Sequence, residues 1–501
     1  MVDVSLGHPR GLPVLFFAEL WERFSFYGMR ALLMFYLTKH WLFSDEMAAG
    51  IYATYGSLVY LTPVLGGLIA DRYLGFRKAV AFGAVLLVMG HIGMAFEGTP
   101  ASLTEAGVAR DENALQVFYL SLALIITGVG FLKPSISSIV GQLYEPDDPR
   151  RDSGFTLFYM GINIGAFSAS LLCGYLGETY GWRYGFGLAG VGMLIGLVTF
   201  LRGRERLEGA GEPPDPAALA RPVFAGLSQE RLIYVCGLLA VGVAWVLVQE
   251  RAVVGNLLLL TGGAAVTGIV WFSATRCTPV ERNRMLLVLL LTATSVLFWA
   301  LFEQAGSSMN LFADRVVDRD VGGLTIAASQ LQSLNPAFIF LLAPLFAWGW
   351  VRLAAAGREP GTPAKFALAL LQVGLGFMAL VVGIEQAGED GRVALGWLVL
   401  AYLLHTTGEL CLSPVGLSMV TRLSVPRLVG LMMGVWFFAS SAAHYVAGWI
   451  AAMASVEGGA AASTQASLSA YADTFGLVAQ VAVVAGLVLL ALSRPLKRLM
   501  S

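Results

Sequence analysis

The stretch FFAELWERFSFYGMRALLMFYL, residues 16–37, decides the fold. It is apolar and long enough to cross a bilayer, which takes about 20 residues of helix. Five polar side chains interrupt it: Glu19, Glu22, Arg23, Tyr27 and Arg30. Counted from Glu19 they fall at 3, 4, 8 and 11, on one face of a helix with 3.6 residues per turn. Leu, Phe and Trp fill the other face. An ionisable side chain at the bilayer centre costs roughly 2.5–3.5 kcal/mol. Such a stripe therefore belongs against a water-filled cavity or against partner charges. A ladder of salt bridges locking two helices is the plainer reading of the same stripe, and it is compatible with function.

The rest of the chain agrees. Of 501 residues, 57% are hydrophobic and 13% charged, with a mean hydropathy of +0.72. Soluble domains carry about 25% charge, so a soluble enzyme and a disordered chain are excluded. A net charge of −1 speaks against nucleic acid as a partner. Fourteen apolar runs lie near 14–38, 48–70, 79–96, 115–140, 154–177, 184–201, 232–249, 253–274, 285–311, 323–350, 364–385, 393–420, 428–453 and 470–492. The first carries charges and no small-residue cleavage pattern, so it does not read as a signal peptide. With the segments alternating across the membrane, one side holds 22 Lys and Arg and the other 7. The excess predicts both termini in the cytoplasm. A Gly/Pro-rich charged connection near 203–230 follows the sixth run. The expected plan is all-α and polytopic, 6+2+6: a six-helix bundle over 1–203, a linker over 204–231, an accessory hairpin over 232–276 and a second bundle over 277–501. Two six-helix halves suit a transporter with a midplane site.

Further ionisable residues lie inside apolar runs. Lys133 precedes Pro134 in the fourth, with Glu22 a candidate partner. Glu303, Ser307 and Asn310 share a face in the ninth, and Arg30 is a candidate partner for Glu303. His405, Glu409 and Ser413 share a face in the twelfth. Pro414, and Pro336 after Asn335, are positions where a helix is expected to break and free carbonyls. His91 and His405 read as packing residues. Cys173, Cys236, Cys277 and Cys411 are scattered and suggest neither disulfides nor zinc. No two of the five histidines are four apart, so an HExxH metalloenzyme is excluded, and no nucleophile–base pair is evident. Neither an enzyme nor a cofactor is expected.

Several motifs carry a resemblance. GGLIADRYLGFRK (66–78) resembles the charged loop of the major facilitator superfamily. Glu19-Leu-Trp-Glu22-Arg23-Phe24 fits ExxERF, and Phe158–Gly165 fits FYxxINxG. FWALFEQ (298–304), SLNPAFI (333–339) and GELCLSP (408–414) fit the C-terminal half of the same family. Across nearly its whole length the chain resembles the proton-dependent oligopeptide transporters of that superfamily.

The resemblance implies a symporter that imports di- and tripeptides with protons across a bacterial inner membrane by alternating access. By position, Arg23 and Lys133 would bind the peptide carboxylate, and Glu409 and Asn335 its ammonium. Tyr27, Tyr60, Asn163, Ser413 and Trp436 would line or gate the pocket. Glu19, Glu22, Arg23, Arg30, Lys133 and Glu303 would couple protons. Glu22 would exchange between Lys133 and a proton, and Glu303 between Arg30 and a proton. Peptide, protons and the bilayer are the implied partners, and a monomer suffices. Phe26 stands where a tyrosine is usual, and 48–70 lacks the histidine of animal transporters. Another small zwitterion or anion is the alternative substrate, although Glu409 favours a ligand with an ammonium group. A passive channel on the same fold is a further reading.

Overall fold

The computed structural model describes residues 7–499, apart from 106, 146, 225, 389–390, 457–462 and the side chain of 417. The first helices are α1 (Leu12–Phe35), α2 (Asp45–Ile69), α3 (Phe76–Met94), α4 (Glu112–Gln142), α5 (Arg151–Tyr180) and α6 (Trp182–Gly203). A one-turn α7 (Pro216–Ala220) lies in the linker, followed by α8 (Gln229–Leu247) and α9 (Arg251–Arg276). The remainder are α10 (Pro279–Phe302), α11 (Ser308–Arg315), α12 (Leu334–Ala355), α13 (Thr362–Glu385), α14 (Leu395–Leu423), α15 (Val429–Met453) and α16 (Thr464–Arg498). Among the described residues, 13 helices are long and apolar enough to cross a membrane. Helix α1, 24 residues long, is not among them because four charges, Glu19, Glu22, Arg23 and Arg30, interrupt it. Together these account for the fourteen apolar runs.

The chain forms two compact units, one of residues 1–42 and 58–250, the other of 43–57 and 251–501. In the first, α1 packs on α5 and α6, α3 on α4 and α6, and α8 on α4. Small residues permit the closest approaches, as is usual between membrane helices. A Cβ on Gly83 of α3 would lie 2.6 Å from the Gly128 carbonyl oxygen of α4. One on Gly165 of α5 would lie 2.3 Å from the Leu20 carbonyl oxygen of α1. Helix α8 docks through Tyr234, whose ring packs on Phe82, and through Lys78, which pairs with Glu230 at 2.6 Å. In the second unit α13 packs on α14 and α16, α10 on α15, α12 on α14, and α9 on α10 and α15.

Two local expectations need correction. The ninth run is not one continuous helix. It stops at Phe302, tightens into a 3-10 turn over Glu303–Gly306 and restarts at Ser308. Glu303, Ser307 and Asn310 are therefore all buried but do not share a regular helical face. The interruption is satisfied by side chains: Gln304 Nε2 donates to the Ala300 and Ala447 carbonyls at 2.9 and 3.0 Å, and Ser308 donates to Gln304 Oε1 at 2.7 Å. Broken backbone is tolerated at membrane depth where protein groups replace water in this way. The prolines, by contrast, do not break their helices. Helix α14 runs unbroken through Pro414. Pro336 is the third residue of α12, where a backbone N–H has no intrahelical partner to lose.

Candidate functional site

Each unit carries one set of the expected residues. In the first, Glu19, Glu22 and Arg23 are all buried on α1, at most 4% exposed. Arg23 Nη2 donates to Glu22 Oε1 at 2.6 Å, and its Nε contacts the other Glu22 oxygen. Glu19 Oε1 stands 3.4 Å from the same Nε. The guanidinium also lies 4.9 Å from the centre of the Phe26 ring. Gly165 on α5 is what lets this stretch pack: its absent Cβ would meet Arg23 Cβ at 3.1 Å. Ser25 donates to the Glu22 carbonyl at 2.7 Å, tying down the same turn.

Lys133 of α4 holds its ammonium 4.2 Å from the centre of the Tyr60 ring. It lies near enough to Glu19 to interact with its charge. Arg30 lies over the Tyr27 ring at 5.9 Å. Asn163 is buried and donates to the Tyr159 carbonyl of its own helix at 3.0 Å. One arginine thus gathers two acids, while the lysine sits on an aromatic face. Such contacts stabilise a cation by roughly 0.5–2 kcal/mol.

In the second unit Asn335 Nδ2 donates to Glu409 Oε2 at 2.9 Å and to Thr406 Oγ1 at 3.1 Å. Thr406 is anchored in turn to the Tyr402 carbonyl at 2.7 Å. A carboxylate held by an amide that is itself held has a fixed direction. Trp436 of α15 lies against α14, its ring within 2.3 Å of where a Gly416 Cβ would be. Ser413 is exposed, one turn beyond Glu409. Glu303 Oε2 stands 3.7 Å from Nδ1 of His444 on α15.

Two neighbours went unassigned in the sequence. Thr406 lies three residues before Glu409, and helical spacing alone was enough to find it. His444 lies in a run without Asp, Glu, Lys or Arg, and only the packing of α15 reveals its partner. Among the described residues, no group of three or more His, Cys, Asp or Glu could hold a metal ion. A separate cavity of about 460 Å³, lined in part by Glu359, Lys365, Arg422 and Lys497, includes none of the candidate residues.

The comparisons with known proteins agree with one another. Residues 77–466 match the family described as PTR2, POT family. The chain is 37% identical over 501 residues to the uncharacterized transporter YclF of Bacillus subtilis (strain 168), covering 99% of this chain and 95% of the relative. It is 35% identical over 515 residues to the peptide transporter YePEPT of Yersinia enterocolitica subsp. palearctica serotype O:3, covering 99% and 96%. A crystal structure of a mutant peptide transporter POT in complex with alafosfalin superposes with a TM-score of 0.82 at 37% identity, covering 99% of this chain and 96% of that one. The chain is therefore an integral membrane transporter, not an enzyme, with the fold of the major facilitator superfamily, and it belongs to the POT family.

Proposed function

We propose that this protein is a proton-coupled symporter that imports di- and tripeptides across a bacterial inner membrane by alternating access. Arg23 and Lys133 take the peptide carboxylate, and Glu409, aimed by Asn335, takes its ammonium. Tyr27, Tyr60, Asn163, Ser413 and Trp436 border the substrate. Glu22 and Glu303 exchange protons, with Glu19 and Arg30 in the charge networks around them. The division into two bundles, a linker and a hairpin, with both termini cytoplasmic, belongs to the same proposal. The observation that carries it is the Glu409–Asn335–Thr406 cluster. A carboxylate oriented by fixed neighbours suits an ammonium group, and every unmodified peptide has one. A carboxylate that gains a proton loses its hold on a neighbouring cation, which shifts a two-state equilibrium. A proton crossing about 100 mV supplies roughly 2.3 kcal/mol.

The deciding experiment is uptake of labelled dialanine into proteoliposomes with an inside-alkaline, inside-negative gradient. Accumulation that collapses with protonophore is the expected result. Exchange without accumulation overturns the coupling. Absence of any peptide signal overturns the substrate.

A further inference from the structure

His444 lies in α15, which has no Asp, Glu, Lys or Arg, and both its side chain and that of Glu303 are 7% exposed. The ring is held in place by its surroundings. A Cβ on Gly56 of α2 would lie 2.9 Å from His444 Nδ1, so the missing side chain there makes the room the imidazole occupies. Nearly one turn earlier, Ser441 donates to the Ser57 carbonyl at 2.7 Å. One turn later, a Cβ on Gly448 would lie 2.2 Å from Ala53 Cβ. Helix α15 is thus fastened to residues 53–57 on both sides of the histidine. Glu303 sits in the 3-10 interruption, which is pinned to the same helix by Gln304 on the Ala447 carbonyl.

An imidazole fixed at 3.7 Å from a buried carboxylate shares its proton chemistry. We infer that His444 and Glu303 form a single proton-binding pair, and that His444 sets the pH range over which this transporter loads its proton. The inference rests on the reading of Glu303 as a residue that exchanges a proton. Without the proton the pair has a neutral ring, a carboxylate and a net charge of −1. One proton taken from water makes the pair neutral overall. It forms either an N–H bond on the ring beside the carboxylate or an O–H bond on Glu303 beside the neutral ring. The reverse step returns it to water on the other side. Either arrangement keeps the proton within the pair, and removing the ring removes one of the two places that can hold it.

Other groups on the packed elements bear on this balance. Glu409 of α14 interacts with the Glu303 charge. From α2, Tyr55 adjoins Gly56, and from α9 the Arg251 carbonyl accepts from Tyr445, the neighbour of His444. The charges of α10 lie in its first two turns, a helix length from Glu303.

The test uses dialanine uptake into proteoliposomes over a series of external pH values, for wild type, His444→Gln, His444→Asn and Glu303→Gln. Both histidine variants are expected to move the midpoint of the profile to lower pH by about one unit, a tenfold higher proton concentration. A second readout is NMR of the five labelled histidine rings. Glu303→Gln is expected to displace the titration of one of them, and that signal is expected to be missing from the histidine variants. Glu303→Gln that still accumulates peptide overturns the assignment of Glu303. Glu303→Gln that loses accumulation, with the histidine midpoints at the wild-type value and every ring titration unmoved, overturns the pair alone. If neither histidine variant folds, the ring titrations of wild type and Glu303→Gln decide the question.

Discussion

Glu409 receives a hydrogen bond from an amide that also holds Thr406, so its direction is set before any ligand arrives. A hydrogen bond to a charged group contributes about 1.5–3 kcal/mol. Glu409→Gln is therefore expected to raise the KM for dialanine by roughly 10- to 100-fold. The KM for an N-acetylated peptide, which has no ammonium, is expected to change far less. Competition uptake assays with both peptides measure the difference. Outside the membrane the loop acid Asp148 is a useful contrast. Its hydrogen bonds to Arg150 hold its pKa down to about 2. A depressed carboxylate contributes above its ordinary range and loses that contribution only as pH falls through the lowered value. Asp148 thus stays charged across the working range of a transporter. Asp148→Asn is expected to leave the pH midpoint of uptake unchanged. Residue types were legible in the sequence because a charge inside an apolar run is costly and conspicuous. Their partners were less so: the short contacts between Glu22 and Arg23, its neighbour in the chain, are seen only in the structure.

At the scale of elements, helix contacts depend on where side chains are missing. A Cβ on Gly83 meets backbone of α4 at 2.6 Å and cannot be relieved by a rotamer change. Gly83→Ala is expected to destabilise the protein by about 1–3 kcal/mol, the usual effect of overpacking. Gly268 of α9 has open space around it, and Gly268→Ala is expected to be neutral or slightly stabilising, since alanine favours helix. Thermal melting of both variants in the same detergent checks the contrast. The apolar runs marked nearly every helix, because spanning a bilayer imposes both length and composition. The break at Glu303–Gly306 is not legible in the sequence. Its sequence is compatible with a helix, and the hydrogen bonds that satisfy the broken form come partly from α15, far away in the chain.

For the whole molecule, the division of α2 is the less obvious feature, since residues 43–57 belong to the unit built from the second half of the chain. Asp45 opens that segment and accepts two hydrogen bonds from Arg315 of α11, at 2.6 and 2.7 Å, with both side chains nearly buried. Removing one member of a buried pair strands the other charge, typically at about 3–5 kcal/mol. Asp45→Asn and Arg315→Gln are each expected to lower the melting temperature markedly. The double variant is expected to fall by much less than the sum, because no charge is left stranded. A double-mutant cycle of melting curves measures this. The sequence by itself determined that the chain spans a membrane, how many times, and which side chains must face something other than lipid. Those properties follow from local composition against a bilayer of known thickness. Only the tertiary structure decided that Glu303 faces His444, that Asn335 donates to both Glu409 and Thr406, and that α2 divides between two units. Each of these depends on contacts between residues tens to hundreds of positions apart, and helical periodicity says which face is polar but not which helix lies opposite it.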